Sequence, residues 1–386
     1  MNLDFLTPVS EALLEGIEDH GNCLGQQMEI HLPGRLPDLD GVKVAFLGVL
    51  EDRLDVRGPR EPFNFLGIRY QLYRLHPGNW DIKLADLGDI EPGETVEDTY
   101  FALRETVAQL IKMNVLPVVL GGSQDLMYAQ YRAYDQLDQM VNIVNVDARF
   151  DLGDIEASIR NNSFMGKIVV DKPYNLSNYT SIGYQTYFNS QDEIDLMEKL
   201  FFDACRLGEV TAKMEIVEPL MRDADLVGID LGAVNAAALG NPHLPSPNGF
   251  DGKELCALAR YAGISDKVSS FGIFEYTAAH NYSVCNMLVA QALWYFVEGV
   301  NYRRNEYSPS TQENFTKYQV PIDDEVLVFY KSPLSGRWWI EIPIEYQMNN
   351  NLTRNTLLPC TEEEYLDACN QIMPERWYKT KRKNMV

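Results

Sequence analysis

The sequence predicts an α/β fold in which a parallel sheet is covered by helices on both faces. Short runs rich in Val, Ile and Leu, bounded by Gly, Asp or Asn, have the pattern of strands that are buried on both faces. They span residues 42–50, 82–87, 115–120, 142–147, 180–184, 225–231 and 268–276. A helical pattern separates the second run from the third, and strand–helix–strand repetition of this kind indicates a parallel sheet.

The helix predicted between the second and third strands has one continuous apolar face. Apolar residues at helical spacing define that face: Val96, Tyr100, Leu103, Val107, Leu110 and Met113. A further helix is predicted over 282–300. After it, strands are predicted at 325–330 and 337–342 around a KSPLSG turn, followed by a helix at 361–372. We therefore predict an N-terminal extension at 1–41, an α/β domain at 42–300 and a C-terminal extension with a β-hairpin at 301–386.

The composition restricts where the protein acts and what it binds. The 386 residues are 46% hydrophobic, which is enough for a large core and excludes wholesale disorder. A net charge of −23 repels phosphate backbones and anionic lipid headgroups, so neither nucleic acid nor a membrane is an expected partner. The six cysteines are widely spaced and the first residues lack a signal-peptide pattern, so we expect a cytoplasmic protein with reduced thiols.

Three predicted strands end in segments that carry candidate functional residues. These segments are 121–125 (GGSQD), 147–151 (DARFD) and 228–235 (GIDLGAVN). In a parallel α/β fold, functional groups sit beyond the carboxyl ends of the strands. Because alternate residues of an extended segment share a face, we expect Asp147, Arg149 and Asp151 to point the same way. Asp230 should lie close to them, on a neighbouring strand.

In this order, the three segments resemble motifs of the ureohydrolase superfamily, which comprises arginase, agmatinase and formimidoylglutamase. The superfamily carries G-G-D-H-S, then D-A-H-x-D, then S-F-D-x-D-x-x-D-P. Flanking segments are similar too: residues 58–69, 86–89 (DLGD), 181–183 (SIG) and 245–250 (PSPNGF). Glu275 falls where the family has a substrate-facing glutamate. The resemblance covers residues 42–300 and implies an arginase-like three-layer αβα sandwich, with a C-terminal α+β extension beyond it.

The resemblance also implies where a metal site would lie. Members of the family hold two Mn²⁺ ions with two histidines and four aspartates. The corresponding positions in this chain are Gln124, Asp147, Arg149, Asp151, Asp230 and Gly232. Three aspartates remain, but a glycine offers no side chain and a guanidinium cannot lose its proton to become a ligand. We therefore predict no bound metal or other cofactor, with one weakly bound divalent ion such as Mn²⁺ as the alternative.

Arg149 is predicted to replace the metal as an internal cation. A guanidinium pairs well with carboxylates, often through two parallel hydrogen bonds. We therefore expect Arg149 to be buried and hydrogen-bonded to at least two of Asp147, Asp151 and Asp230. The alternative is that these four residues form a structural ion-pair network that binds no ligand.

The sequence supports two hypotheses for the function. The first is a ureohydrolase-fold pseudoenzyme that lost binuclear catalysis and binds, scaffolds or regulates. The second is a C–N hydrolase of a guanidino or amidino compound with an altered or single-metal site. Glu275 would bind a cationic ligand or pair with Arg149, and His243 is either a ligand-binding residue or an ordinary polar one. The expected partners are a guanidino, amidino or other small molecule, and a second copy or another protein through 301–386.

Overall fold

The computed structural model describes residues 4–58, 61–137, 139–241, 244, 246–343 and 357–383. Within this part of the chain, nine strands form the main sheet: β1 Glu29–Ile30, β2 Val42–Val49, β3 Lys83–Ile90, β4 Leu116–Gly121, β5 Val141–Val146, β6 Leu176–Tyr184, β7 Asp203–Arg206, β8 Leu226–Asp230 and β9 Ser270–Phe274. Their order across the sheet is β1-β3-β2-β4-β9-β8-β5-β6-β7, and all neighbouring strands are parallel.

Helices follow most of these strands in the chain. They are α1 Leu24–Gln27, α2 Leu66–Arg74, α3 Val96–Lys112, α4 Leu126–Arg132, α5 Phe164–Val170, α6 Gln191–Lys199, α7 Leu207–Ala212, α8 Val217–Arg222, α9 Gly252–Ile264 and α10 Ser283–Asn301. The helix predicted from the apolar face starting at Val96 is α3. It begins with a capping box, in which Thr95 and Asp98 satisfy each other's backbone N–H groups.

The two faces of the sheet are buried in two separate apolar cores. Alternate side chains of a strand point to opposite faces. Val44 and Phe46 of β2 belong to a core with α2, α9 and α10, whereas Ala45 and Leu47 belong to a core with α3, α4 and α5. The predicted three-layer αβα sandwich around a parallel sheet is therefore confirmed.

The N-terminal residues pack against the α/β unit. Val9, Leu13 and Ile17 are buried in the core on the α2 side of the sheet. β1 adds a parallel edge strand, with Glu29 opposite Ala85 of β3. The backbone N–H of Thr7 donates to Asp89 O at 2.7 Å, so this segment also covers the carboxyl end of β3.

A second, antiparallel sheet follows α10. Its elements are α11 Pro309–Gln312, β10 Thr316–Ile322, β11 Glu325–Lys331, β12 Trp338–Glu341, β13 Leu357–Cys360, α12 Glu362–Cys369 and α13 Glu375–Lys383. The predicted hairpin is β11–β12, with Phe329 opposite Ile340. Arg222 of α8 joins the two sheets, because it donates to Trp338 O at 3.0 Å and stacks 4.3 Å from the Trp339 ring. The predicted C-terminal α+β extension is therefore present.

None of the helices in the described residues is long and apolar enough to cross a membrane. The most apolar long helix, α10, packs most of one side against α9 and α2 and buries residues such as Leu293 and Phe296. Its hydrophobicity therefore serves the protein core.

Candidate active site

Four adjacent strands place polar side chains at one edge of the sheet. Gln124 follows β4, Asp147 follows β5, Asp230 ends β8 and Glu275 follows β9. These strands are neighbours in the order β4-β9-β8-β5. Because their carboxyl ends meet, residues that are far apart in the chain converge on one pocket, as the sequence predicted for this class of fold.

Asp147 and Asp151 form a hydrogen-bonded carboxyl pair. Burial raises the pKa of both groups, and the charge of Asp147 raises the pKa of Asp151 further. The protein stabilises the ionised form of Asp147, because its oxygens accept hydrogen bonds from Asn145 Nδ2 at 3.1 Å and from the backbone N–H of Arg149 at 2.8 Å. The pKa of Asp151 is raised more strongly than that of Asp147, so Asp151 is the member of the pair that takes up a proton more readily.

Asp230 faces the same pair from β8. Burial raises its pKa first, followed by the charges of Asp147 and Glu275. Its Oδ1 accepts a hydrogen bond of 2.6 Å from the backbone N–H of Gly232. A Cβ atom at Gly232 would lie 3.0 Å from Asp230 Oδ2, so position 232 faces the same carboxylate although it supplies no side chain.

Glu275 is fixed by donors from three other segments. Its Oε1 accepts from the backbone N–H of Gln124 at 3.0 Å and from Asn161 Nδ2 at 3.0 Å. Its Oε2 accepts from Arg57, which Asp55 holds through two further hydrogen bonds of 3.1 and 3.0 Å. The Glu275 carboxylate is therefore already paired with a guanidinium from its own chain.

Two of the carboxyl residues have an unusual backbone. Asp151 has φ +52° and Glu275 has φ +63°, in the left-handed region that side chains other than glycine seldom adopt. Such a conformation costs on the order of 1–2 kcal/mol per residue and persists where the surrounding contacts impose it. The fold therefore accepts strain at two positions that aim carboxyl groups into one pocket.

These side chains border a cavity of about 420 Å³. Its lining combines the carboxyl groups with apolar and amide side chains: Val56, Arg57, Gln124, Asp147, Ala148, Arg149, Asp151, Asn161, Asn162, Phe188, Asp230, Leu231, Gly232, Val234, Leu239, Leu244, Ser246, Glu275 and His280. Asp151 Oδ2 is buried there without a hydrogen-bond partner. Its size fits a small molecule, and its charge favours a cation.

The prediction that Arg149 replaces a metal ion is wrong. Its side chain is exposed, Nη1 donates to Phe188 O at 3.0 Å, and the guanidinium carbon lies 4.5 Å from the Phe188 ring centroid. Arg149 donates to the Asp147 carboxylate through its backbone N–H and not through its guanidinium. The segment bends at Ala148 and Arg149, directly after Asp147, so the alternation that would have turned Arg149 inward does not hold. The alternative of an ion-pair network containing Arg149 is excluded for the same reason.

Other predicted residues have mixed outcomes. Glu275 pairs with Arg57 rather than with Arg149. His243 lies outside the described residues. The sequence did not single out Arg57 or Asn161 as pocket residues. The resemblance at 58–69 does begin next to Arg57, so that signal marked the right loop.

A sequence model of the arginase family matches residues 58–297. The chain belongs to the arginase family. Among its relatives, a formimidoylglutamase of Geobacillus is 28% identical over 204 residues, covering 50% of this chain and 62% of that protein. A formimidoylglutamase of Streptococcus gordonii is 24% identical over 273 residues, covering 64% of this chain and 80% of that protein.

Solved structures of this family share the fold. The formiminoglutamase of Trypanosoma cruzi with Mn²⁺ superposes with a TM-score of 0.63 at 17% identity, covering 69% of this chain and 96% of that chain. The agmatine ureohydrolase of Thermoplasma volcanium gives a TM-score of 0.57 at 18% identity, covering 73% of this chain and 95% of that chain. Arginase-family architecture therefore accounts for the α/β unit but not for the second sheet.

The residues at the family's ligand positions do not fit a binuclear metal centre. Gln124 uses its amide nitrogen to donate to Asn145 Oδ1 at 3.0 Å, Gly232 has no side chain, and the guanidinium of Arg149 turns outward. Within the residues that the structure describes, no three or more His, Cys, Asp or Glu side chains are arranged to hold a metal ion. The carboxyl groups of Asp147 and Asp151 instead form a hydrogen bond with each other.

We expect the purified protein to retain less than about 0.1 equivalent of Mn, Zn or Fe per chain after dialysis, because its ligand set is incomplete. Elemental analysis by mass spectrometry measures this directly. The matched control is the variant Gln124→His/Arg149→His/Gly232→Asp, which carries the family's six ligands and should retain more Mn²⁺. Two retained transition-metal ions per wild-type chain would contradict the prediction.

Proposed function

We propose that this arginase-family protein binds a cationic amidino or guanidino compound in the acidic cavity and hydrolyses its C–N bond at an altered site. The observation that carries the proposal is the convergence of Asp147, Asp151, Asp230 and Glu275 on a single cavity. An amidinium group is a planar cation with N–H donors, and carboxylates bind such groups through parallel hydrogen bonds. The formimidoylglutamase relatives support this class of compound.

The charge balance of the cavity favours this ligand. Burial raises the pKa values of Asp147, Asp151 and Asp230, and the charges of neighbouring carboxylates raise those of Asp151 and Asp230 further. The cavity without a ligand therefore takes up protons more readily than free carboxyl groups do. A cation bound among these groups replaces those protons and removes the repulsion. Binding should therefore release protons, and the affinity for an amidinium compound should rise between pH 5 and pH 8.

The same carboxyl groups can move the protons that hydrolysis requires. Attack of water on the amidine carbon needs a base, and departure of the amine needs an acid. In the pair, burial and the charge of Asp147 raise the pKa of Asp151, so Asp151 can donate a proton. The hydrogen bonds that Asp147 accepts from Asn145 and Arg149 favour its ionised form, so Asp147 can accept a proton from water. Because the two carboxyl groups differ in how readily they take up a proton, one can act as the acid and the other as the base.

A second candidate function is binding without catalysis. Three of the family's ligand positions carry Gln124, Arg149 and Gly232, so the chain lacks the groups that lower the pKa of a metal-bound water from 15.7 towards about 7. In that case the protein would bind the same class of compound and act as a sensor, carrier or scaffold.

The experiment that separates these functions measures binding and product together. Arginine, agmatine, 4-guanidinobutyrate and formiminoglutamate are each tested by calorimetry and by assays for urea, formamide and ammonia. A hydrolase should release product, and the Asp151→Asn variant should lose that release while Asp324→Asn, in an exposed turn, keeps it. Saturable binding without product favours the second function. Neither binding nor product at millimolar concentrations would contradict the proposal.

A further inference from the structure

Arg149 borders the cavity with a charge that no carboxylate neutralises in the described part of the chain. The described contacts of its guanidinium are the hydrogen bond to Phe188 O and the cation–π contact with the Phe188 ring. An arginine has five N–H donors, so most of its donors remain available. Phe188 also lines the cavity, which places this cation at its exposed end.

The segment that carries Arg149 is fixed on both sides. Asn189 Nδ2 donates to Ala148 O at 3.0 Å, and Asn189 Oδ1 accepts from the backbone N–H of Phe150 at 2.8 Å. These bonds tie the loop after β6 to the residues immediately before and after Arg149. The guanidinium is therefore held in place before any ligand binds, which lowers the entropic cost of using it.

The deep end of the same cavity has the opposite charge. Asp147 and Asp151 are 1% and 5% exposed, and Asp151 Oδ2 is a buried acceptor without a partner. The cavity thus has an anionic floor and a cationic mouth. A ligand with both a cationic group and an anionic group would match both ends.

We propose that Arg149 is a specificity-determining residue that pairs with an anionic group of the substrate, while the amidino group lies among the buried carboxyl groups. This inference rests on the proposed function, and it assigns a role to a position where relatives with the D-A-H-x-D motif carry a histidine. A guanidinium pairs bidentately with a carboxylate. Arg149 therefore selects amidino compounds that carry a carboxylate over those that lack one.

The test compares two probes that differ in one group. 4-Guanidinobutyrate carries a carboxylate, and n-butylguanidine lacks it. By calorimetry, the wild-type protein should bind the first about tenfold more tightly, as a charge-assisted pair at a partly exposed site predicts. Arg149→Ala should reduce this ratio to about one by weakening only 4-guanidinobutyrate. Arg149→Lys should retain part of the ratio because it keeps the charge.

Arg206→Ala is the matched control. Arg206 is also exposed and contacts an aromatic residue, Tyr184, but it lies outside the cavity lining, so its loss should leave the ratio unchanged. Equal wild-type affinities for the two probes, or an equal loss of both in Arg149→Ala, would overturn the role of Arg149 and leave the amidino pocket intact. Failure of the wild-type protein to bind either probe would overturn both proposals.

Discussion

The substitution Arg69→Met is expected to lower the free energy of unfolding by about 3–5 kcal/mol, because it leaves buried carboxylates without their cation. Arg69 is 2% exposed and donates to both oxygens of Asp86 at 2.9 and 3.1 Å. It also donates to Asp89 at 2.8 Å and to Gly88 O at 3.0 Å. Methionine fills a similar volume, so the decrease in the free energy of unfolding reflects the missing charge more than the creation of a cavity.

The effect of Arg69→Met should depend on pH with a defined sign. Burial already raises the pKa of Asp89 in the presence of Arg69. Without the guanidinium, the folded-state pKa of Asp89 rises further above its unfolded value, so the folded state binds more protons. The variant should therefore recover stability relative to the wild type as the pH falls from 7 to 5.

Urea unfolding monitored by circular dichroism at pH 5, 6 and 7 measures both effects. The control Lys83→Met removes an ammonium that pairs at 3.5 and 3.6 Å with the partly exposed Glu29 and the exposed Asp38. Such pairs contribute about 0–1 kcal/mol. If Arg69→Met lowers the free energy of unfolding by less than about 1 kcal/mol at pH 7, the pairing of Arg69 with Asp86 and Asp89 does not stabilise the fold as expected.

The substitution Asp230→Asn is expected to stabilise the protein while it abolishes amidinium binding. The amide keeps the acceptor for the backbone N–H of Gly232 and removes a buried charge near Asp147 and Glu275. The raised folded-state pKa of Asp230 means that its ionised form opposes folding above the unfolded pKa. The gain should be largest at pH 8 and shrink as the pH falls towards 5, because the carboxyl group with its raised pKa takes up a proton.

Thermal melts at pH 5 and pH 8, together with calorimetry using 4-guanidinobutyrate, test this trade-off. A gain of 1 kcal/mol corresponds to about 1 °C in a chain of 386 residues, and loss of the ionic contact should weaken binding by at least about tenfold. Asp324→Asn is the control for a change of net charge at an exposed position. Equal or lower stability of Asp230→Asn at pH 8 would mean that Asp230 is not under electrostatic strain.

The strands of the main sheet were predictable where they are buried on both faces. The run at 42–50 became β2 and the run at 268–276 contains β9, because an uninterrupted apolar segment between turn residues has few alternatives. Short edge strands were not predicted. β1 has two residues and β7 reads DACR, so neither has the length or hydrophobicity that marks a strand in sequence.

The site was predictable in position but not in detail. The ends of β4, β5 and β8 do bring Gln124, Asp147 and Asp230 together, because strand order determines which ends meet. The direction of Arg149 was not predictable. It depends on the bend at Ala148 and Arg149 and on an aromatic ring, Phe188, from a different loop. The role of Arg57 was not predictable either, because its contact with Glu275 joins residues from opposite ends of the domain.

The strand order has a consequence for how the chain folds. β9 lies between β4 and β8, so Val118 pairs with Phe271 although the two are far apart in the chain. Until residues 270–274 have been synthesised, β1–β4 and β5–β8 can form only two separate half-sheets, each with an unpaired edge. Pairing between distant segments makes folding slow. The pocket can therefore form only late in synthesis, when insertion of β9 joins the two half-sheets. A nascent chain that stops before β9 would expose two unpaired strand edges, which promote aggregation.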